Sequence, residues 1–499
     1  MILLFALAKL VLHLTASFGY GTFRDELYYL ACTEHLGLGY VDHPALSILV
    51  LWVVRHSLGT SLLALRLLPA LAGAATVALV GLIARRMGGG HLAQALAMTA
   101  ALIAGQFLSS DGYYSMNAFD ILVWCLAGYL VVLLITDGDP RLWLLLGLIL
   151  GLGLANKISV LWLGAGLGVG ILLSAERRWL RTRWPWLAGG IAGLLGAPYL
   201  VWQVQNGWPT REFIHNATIE KMVRVSFGAF LHGQVETMNP FTLPLWLGGL
   251  AWLFFHPQGK RFRILAWAYL AVFVILVANG SSRAGYLSPA YTWLFAAGGA
   301  GAEAVLARWR VSWAGWVAVA VLLAGGVVGA PFALPLLPAD RYVRYAAALG
   351  VQPATEERKE LSALPQFFAD FQGWPQIVDT LAGVYNLLPA GERPQARVLA
   401  PDYGVAGAVD FFGPAHGLPH AISGHNSYWL WGPDGWDGGP LIVVGWRQER
   451  LAELFGRVER AATIECGLCM PYENHRPVWV CRDPKVSIAA FWAQVKHYD

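Results

Sequence analysis

Charge is what this chain of 499 residues has least of: Asp, Glu, Lys and Arg make up 13% of it, against a hydrophobic share of 57%. Soluble globular chains carry roughly 25% charged residues, which excludes a cytosolic enzyme and a disordered scaffold. Dense runs of Lys and Arg are missing as well, and with them the footprint of a nucleic-acid-binding protein. There are no internal repeats and no low-complexity linkers. The first apolar stretch lacks a basic leading segment and a small-residue cleavage site, so it reads as an anchor rather than a signal peptide. Cysteine is scarce, at five. The pair Cys466-x-x-Cys469 has no second Cys or His pair to complete a zinc set. With Cys481 it makes three thiols near the C-terminus, where a disulfide could form in an oxidising compartment, its pairing open. What the chain does have is 23 Trp and 56 Gly, both favoured in membrane proteins.

Eleven apolar stretches are candidates to cross ~30 Å of hydrocarbon. They lie near 1–18, 62–84, 92–108, 118–136, 141–155, 158–174, 185–203, 239–255, 264–279, 287–306 and 312–337. The run 141–174 is broken only at Asn156-Lys157. A Lys at mid-bilayer is expensive, so a hairpin with Lys157 at its turn is expected. Arg85, Arg86, Arg141, Arg177, Arg178, Arg181, Arg183, Lys260, Arg261, Arg263, Arg308 and Arg310 fall in alternate loops and mark the cytoplasmic side. Asp25, Glu26, Glu34, Asp42, Asp111, Asp120, Glu212, Glu220 and Glu236 fall on the other. Residues 1–338 carry a net charge of +8 and residues 339–499 a net −4. The division expected is a membrane domain, 1–338, and an extracytoplasmic soluble domain, 339–499. In the latter, apolar runs at 397–400, 441–446 and 477–481 read as strands, and 448–457 and 486–497 as helices. That pattern is a small α/β domain.

The chemistry is expected on the loops facing away from the cytoplasm. The first, about 19–61, shows helical spacing of Leu27, Leu30, Ala31 and Leu36, as an amphipathic helix along the membrane surface would. Asp25 and Glu26 open it. They are either a pair stabilised by the helix N-terminus or a general base beside a positioning acid. Asp42-His43-Pro44 closes the loop, His43 being a surface imidazole or a substrate contact. Asp120 is either an interfacial N-cap or part of the site. Lys157 and Arg283 end apolar helices, without an acidic neighbour in sequence. They either snorkel to the headgroups or neutralise a phosphate. The long loop 204–238 has the punctuation of a mobile gate.

Taken in order, F-R-D-E-L-Y-Y-L-A, G-Y-V-D-H-P-A-L, N-A-F-D-I-L, G-L-G-L-A-N-K and R-A-G-Y-L-S-P-A-Y resemble the family 39 glycosyltransferases. Those are protein O-mannosyltransferase-like and lipid A aminoarabinose transferase-like membrane enzymes with the GT-C fold. The resemblance covers about residues 1–300, with Ala45 and Asn156 as departures. It implies a mainly α membrane protein of GT-C fold that moves one sugar from a polyprenyl-phosphate-linked donor to an acceptor hydroxyl of a lipid, glycan or protein. Transfer would occur at the extracytoplasmic face of a bacterial inner membrane, with inversion. Asp25 is the expected base. Glu26, Asp42 and Asp120 would position hydroxyls, Lys157 and Arg283 bind the donor phosphate, and Tyr28, His43 and Tyr286 touch substrate. Members of the family often work without a metal, while the converging acids leave room for a divalent ion. Two other classes fit the composition. A transporter or flippase for lipid-linked sugars would place ionisable residues at helix centres, and the interiors here read as nearly free of them. A carbohydrate-binding membrane protein without catalysis would use the aromatic, His-rich stretch from His416 to Trp436, which otherwise reads as a loop packing on its own domain.

Overall fold

The structure, a computed structural model, describes residues 1–499. Helices cover each of the eleven apolar stretches: Ile2–Ala16, Leu62–Arg86, His91–Ile103, Met116–Thr136, Leu142–Asn156, Val160–Leu172, Trp184–Gln205, Leu243–Phe255, Arg263–Asn279, Tyr291–Arg308 and Ser312–Gly329. Length and composition give five helices able to cross a membrane, or six if the bent pair Val160–Leu172 and Ala175–Arg181 is one span. Several of the other apolar helices are shorter than a bilayer crossing, so eleven crossings stay an expectation of hydropathy. Local chemistry sets the helix starts: Ser61 accepts from the Ala64 N–H and Ser115 from the Asn117 N–H, as capping hydroxyls do. The expected break falls at Lys157, whose extended backbone ends Leu142–Asn156 before Val160–Leu172 begins.

The chain forms two compact units. One comprises Met1–Gly19, Leu58–Val201 and Arg224–Leu337; the other comprises Tyr20–Ser57, Trp202–Val223 and Pro338–Asp499. The linear division at 338/339 is therefore incomplete, because the C-terminal segment folds together with two stretches from the first half of the chain. The loop 204–238 is also corrected. It is largely helical, in Pro209–Asn216, Ala217–Lys221 and Phe227–Thr237, and falls partly in each unit.

The first unit is packed through small residues and stacked rings. Gly249 abuts the backbone of Leu294 and Gly298 with no room for a Cβ, the close approach small residues allow between apolar helices. Trp124 and Trp293 stack at 6.0 Å in its interior. That interior is not free of charge, contrary to the sequence reading. Lys9, on Ile2–Ala16, meets Asp111 at 2.9 Å with 0% and 2% of the two side chains exposed. Arg66, also buried, donates to the Ser17 carbonyl at 2.8 Å. Such charges are tolerated because each has a partner inside the protein.

The second unit is built on a five-stranded sheet, β1 (Arg397–Ala400), β2 (Ala421–Ser423), β3 (Leu441–Val444), β4 (Phe455–Thr463) and β5 (Pro477–Pro484), in the order β2-β1-β3-β5-β4. β1 is parallel to β2 and β3, with Val398 opposite both Ala421 and Ile442, whereas β5 is antiparallel to β3 and β4. β1 and β3 are buried almost throughout, while β4 is a largely exposed edge. The helix expected over 448–457 stops at Leu454, where β4 takes over. Cys466 and Cys469 form a disulfide and Cys481 is a buried thiol.

The first loop's helix is Arg24–Cys32, and every residue of it except Asp25 is buried. It packs on the helix Tyr403–Phe412, where Gly407 sits against the Leu27 backbone too closely for a side chain. The membrane-surface amphipathic helix is thus corrected to a short interior helix of the second unit.

Candidate active site

At the start of Arg24–Cys32 the two adjacent acids divide their tasks. Glu26 is 1% exposed, and its Oε2 accepts from the Phe23 N–H at 2.8 Å. It closes the helix N-terminus from the third helical position, the capping task its place in the sequence allows. Asp25 is half-buried, and its Oδ1 accepts from the Tyr403 hydroxyl at 3.1 Å. Burial raises its pKa above the ordinary carboxylate value; Arg24 and the Tyr403 hydrogen bond pull it back, Asp42 adds to the rise and Lys221 opposes it. A carboxylate held this way is a competent proton acceptor.

Arg24 is buried beside it. Its Nη2 lies 3.2 Å from Asp402, its Nη1 donates to the Tyr472 hydroxyl at 2.7 Å, and its guanidinium sits 4.7 Å from the Tyr403 ring centroid. Asp402 caps the helix Tyr403–Phe412 by accepting from the N–H groups of Gly404 and Val405. Burial opposes its charge, but Arg24 and those N–H groups hold it below the usual carboxylate range.

Asp42 is held by Tyr28, whose hydroxyl donates to its Oδ1 at 2.9 Å and lies 2.7 Å from Ser427 Oγ. Burial pushes the Tyr28 phenol well above its ordinary pKa, so it stays a hydrogen-bond donor. His43 packs against Tyr29 and Tyr40 at ring separations of 4.7 and 4.9 Å. Tyr28 and His43 are each 1% exposed. Both are packed among the residues that fix the loop.

In the first unit, Ser115 rather than Asp120 caps Met116–Thr136. Asp120 lies one turn inside, where its Oδ1 accepts from Ser159 Oγ at 2.9 Å and its Oδ2 lies 3.3 Å from Lys157 Nζ. Lys157 also donates to Asn117 Oδ1 at 2.8 Å and lies 5.8 Å from the Tyr286 ring centroid. It is therefore not an isolated snorkelling cation: Asp120 and Asn117 hold it at the end of its helix. Asp120 is 3% exposed and pairs with Lys157. Arg283 is half-buried and leads the turn Ala284–Ala290, in which the Tyr286 N–H bonds back to the Arg283 carbonyl at 3.1 Å.

The structure thus brings Asp120, Lys157 and Tyr286 together in one unit, and Asp25, Tyr28 and Asp42 together in the other. Sequence reasoning missed Asn117, Asp402, Tyr403 and Ser427. An Asp just before a helix, one Pro after a strand, is the one available signal for Asp402. The aromatic stretch of the C-terminal segment is committed to its own domain. Trp436 is 2% exposed, with its Nε1 donating to the Gly439 carbonyl, and Trp429 donates to the Trp492 carbonyl.

His425, His497 and Asp499 place three metal-ligating atoms within 4.8 Å of one another. They fit a metal poorly. His425 Nδ1 accepts the Tyr403 N–H at 3.1 Å, which leaves the proton on Nε2, 3.0 Å from the Asp499 carbonyl. Burial, with His497 adding to it, pushes the His425 pKa down to about 3, so the ring is neutral.

Residues 42–202, which include Asp42, Asp120 and Lys157, match the family described as dolichyl-phosphate-mannose-protein mannosyltransferase. The crystal structure of ArnT from Cupriavidus metallidurans bound to undecaprenyl phosphate is similar with a TM-score of 0.61 at 14% identity, over 96% of this chain and 97% of that one. The apo structure of the same protein gives 0.61 at 15% identity with the same coverage. A search of curated proteins found no match. The fold is therefore that of the GT-C membrane glycosyltransferases, mainly helical with a small C-terminal sheet domain. More particularly, it is the ArnT arrangement followed along nearly the whole chain.

Proposed function

We propose that this protein is a membrane glycosyltransferase that moves a single sugar from a polyprenyl-phosphate-linked donor to an acceptor hydroxyl on a lipid, glycan or protein. The proposed place of transfer is the extracytoplasmic face of a bacterial inner membrane. The observation that carries the reading is Lys157, a cation within the family-matching stretch, held by Asn117 and Asp120 at the end of an apolar helix. That an ArnT structure of the same fold binds undecaprenyl phosphate supports the donor class.

In this reading the acceptor hydroxyl oxygen attacks the anomeric carbon while Asp25 takes its proton. The bond between that carbon and the phosphate oxygen breaks, and the polyprenyl phosphate leaves with the electron pair. A single displacement inverts the anomeric centre. Charge developing on the leaving phosphate is met by Lys157 and Arg283, which act best where water is excluded. Those two cations supply the positive charge, so the proposed reaction needs no resident metal. A transporter is less well supported, because the buried charges of the helix interiors are closed on partners within the protein, Lys9 on Asp111 and Arg66 on the Ser17 carbonyl.

The test is donor consumption by the purified protein in lipid nanodiscs. Polyprenyl-phosphate-linked sugar should be converted to polyprenyl phosphate only when an acceptor lipid or glycan extract is present, and chelation of divalent metals should leave the rate unchanged. A protein that moves the intact donor across vesicle membranes without cleaving it would overturn the reading.

A further inference from the structure

We propose that Tyr403, from the C-terminal segment, is a positioning residue for Asp25, so that this segment supplies a working part of the catalytic machinery. The inference rests on Asp25 being the base, as proposed above, and names the group that sets its orientation and proton affinity.

The geometry is specific. The Tyr403 hydroxyl donates to Asp25 Oδ1, which leaves Oδ2 to receive the acceptor proton. The Tyr403 ring cannot swing away. Tyr28 stacks on it at 4.7 Å and His425 at 4.9 Å, and the Arg24 guanidinium lies 4.7 Å from its centroid. Arg24 is in turn fixed by Asp402 and Tyr472. The Tyr403 backbone N–H is tied to His425 Nδ1, and Asp402 caps the helix that Tyr403 begins. Every torsion that aims the hydroxyl is therefore restrained by a neighbour, which is how supporting residues keep a reactive group in register.

The electrostatic consequence follows from the same bond. A hydrogen bond donated to a carboxylate favours its charged form. Burial, Asp42 and the neighbouring Asp370 disfavour a charge on Asp25, whereas Arg24, Lys221 and the Tyr403 hydroxyl favour it. Glu357 also bears on Tyr403 itself, whose own pKa burial raises well above the ordinary value, so it remains a donor through the working range. Losing the hydroxyl leaves burial less opposed, and the Asp25 pKa rises.

Tyr403→Phe keeps the stacked ring and removes only the hydroxyl. It should lower kcat roughly tenfold near neutral pH, in line with loss of a hydrogen bond to a charged group. It should also move the acid limb of the kcat/KM profile upward by about 0.5–1 pH unit, with donor-lipid binding unchanged. Difluorotyrosine at position 403, a stronger donor of the same shape, should move that limb downward. A uniform fall in kcat with the limb unmoved in both variants would make Tyr403 merely structural and overturn the inference. Asp25→Asn separates the two ideas. If it is inactive while Tyr403→Phe is normal, only the Tyr403 proposal fails; if Asp25→Asn is active, the base assignment itself fails.

Discussion

Lys157→Gln removes a cation while keeping a side chain that can still donate to Asn117. Two consequences can be separated. At 3.3 Å from Asp120 Oδ2, the ion pair has a gross attraction of about 5 kcal/mol at an effective dielectric of ~20. Much of that is offset by the desolvation of both charges, and breaking one side of a buried pair costs about 3–5 kcal/mol. With 15% of the Lys157 side chain exposed, the stability loss should sit at or below the low end of that range. The catalytic loss has a different origin: withdrawing one fixed charge from a leaving phosphate costs about 10²–10³ in rate. The double variant Lys157→Gln/Asp120→Asn distinguishes them, because it restores neutrality without restoring the cation. Thermal unfolding in detergent should return to within about 1 kcal/mol of wild type, while the initial rate of donor consumption stays depressed. Recovery of transfer in the double variant would refute the reasoning, for Lys157 would then serve only to neutralise Asp120.

Asp25→Asn should cut transfer by about 10²–10⁴ through loss of the general base, whereas Glu26→Gln, which can still accept from the Phe23 N–H, should leave transfer near wild type in the same rate assay. Asp370 is buried, its Oδ1 meets no hydrogen-bond donor, and burial with Asp25 and Glu357 beside it, opposed by Arg24 and Lys221, pushes its pKa up to about 7. The folded state holds that proton more tightly than the unfolded chain does. Its contribution is therefore full below about pH 4 and is lost as pH rises to about 7. Asp370→Asn should remove this loss and raise stability at pH 8 by about 2–4 kcal/mol relative to wild type, and equal Tm differences at pH 5 and pH 8 would count against it. For topology, a Cys introduced at 434 should react with an impermeant maleimide added outside intact cells and one introduced at 180 should not; the reverse pattern would invert the orientation.

The parts of the fold legible in the sequence are those whose signal is local. β1 is legible at 397–400 because the buried Val398, Leu399 and Ala400 of a central strand form a short apolar run. β4 was not, because an exposed edge strand, G-R-V-E-R-A, carries the polarity of a loop or a surface helix. β2 is three residues long, too short for any period. The site divides in the same way. Asp25 and Lys157 stood out as charges beside apolar helices, but their partners did not. Asn117 and Asp120 lie about forty positions before Lys157, and Tyr403 lies 378 positions after Asp25. Lys9 and Arg66 were overlooked inside helices because hydropathy averaging hides a single charge, and only the fold supplies Asp111 and the Ser17 carbonyl. Glu26 fits either reading of its position in the sequence, because capping needs the same residue type at the same helix end as a positioning acid would.

Where a bound donor sits tests the central claim most directly. The protein should be imaged by cryo-EM in nanodiscs with a non-cleavable polyprenyl phosphonate analogue of the sugar donor. The account predicts density for the phosphonate within charge-assisted hydrogen-bond distance, about 2.7–2.9 Å, of Lys157 Nζ, with the Arg283 guanidinium turned toward the same group. Phosphonate density away from Lys157, with its Nζ still engaged only by Asn117 and Asp120, would contradict it.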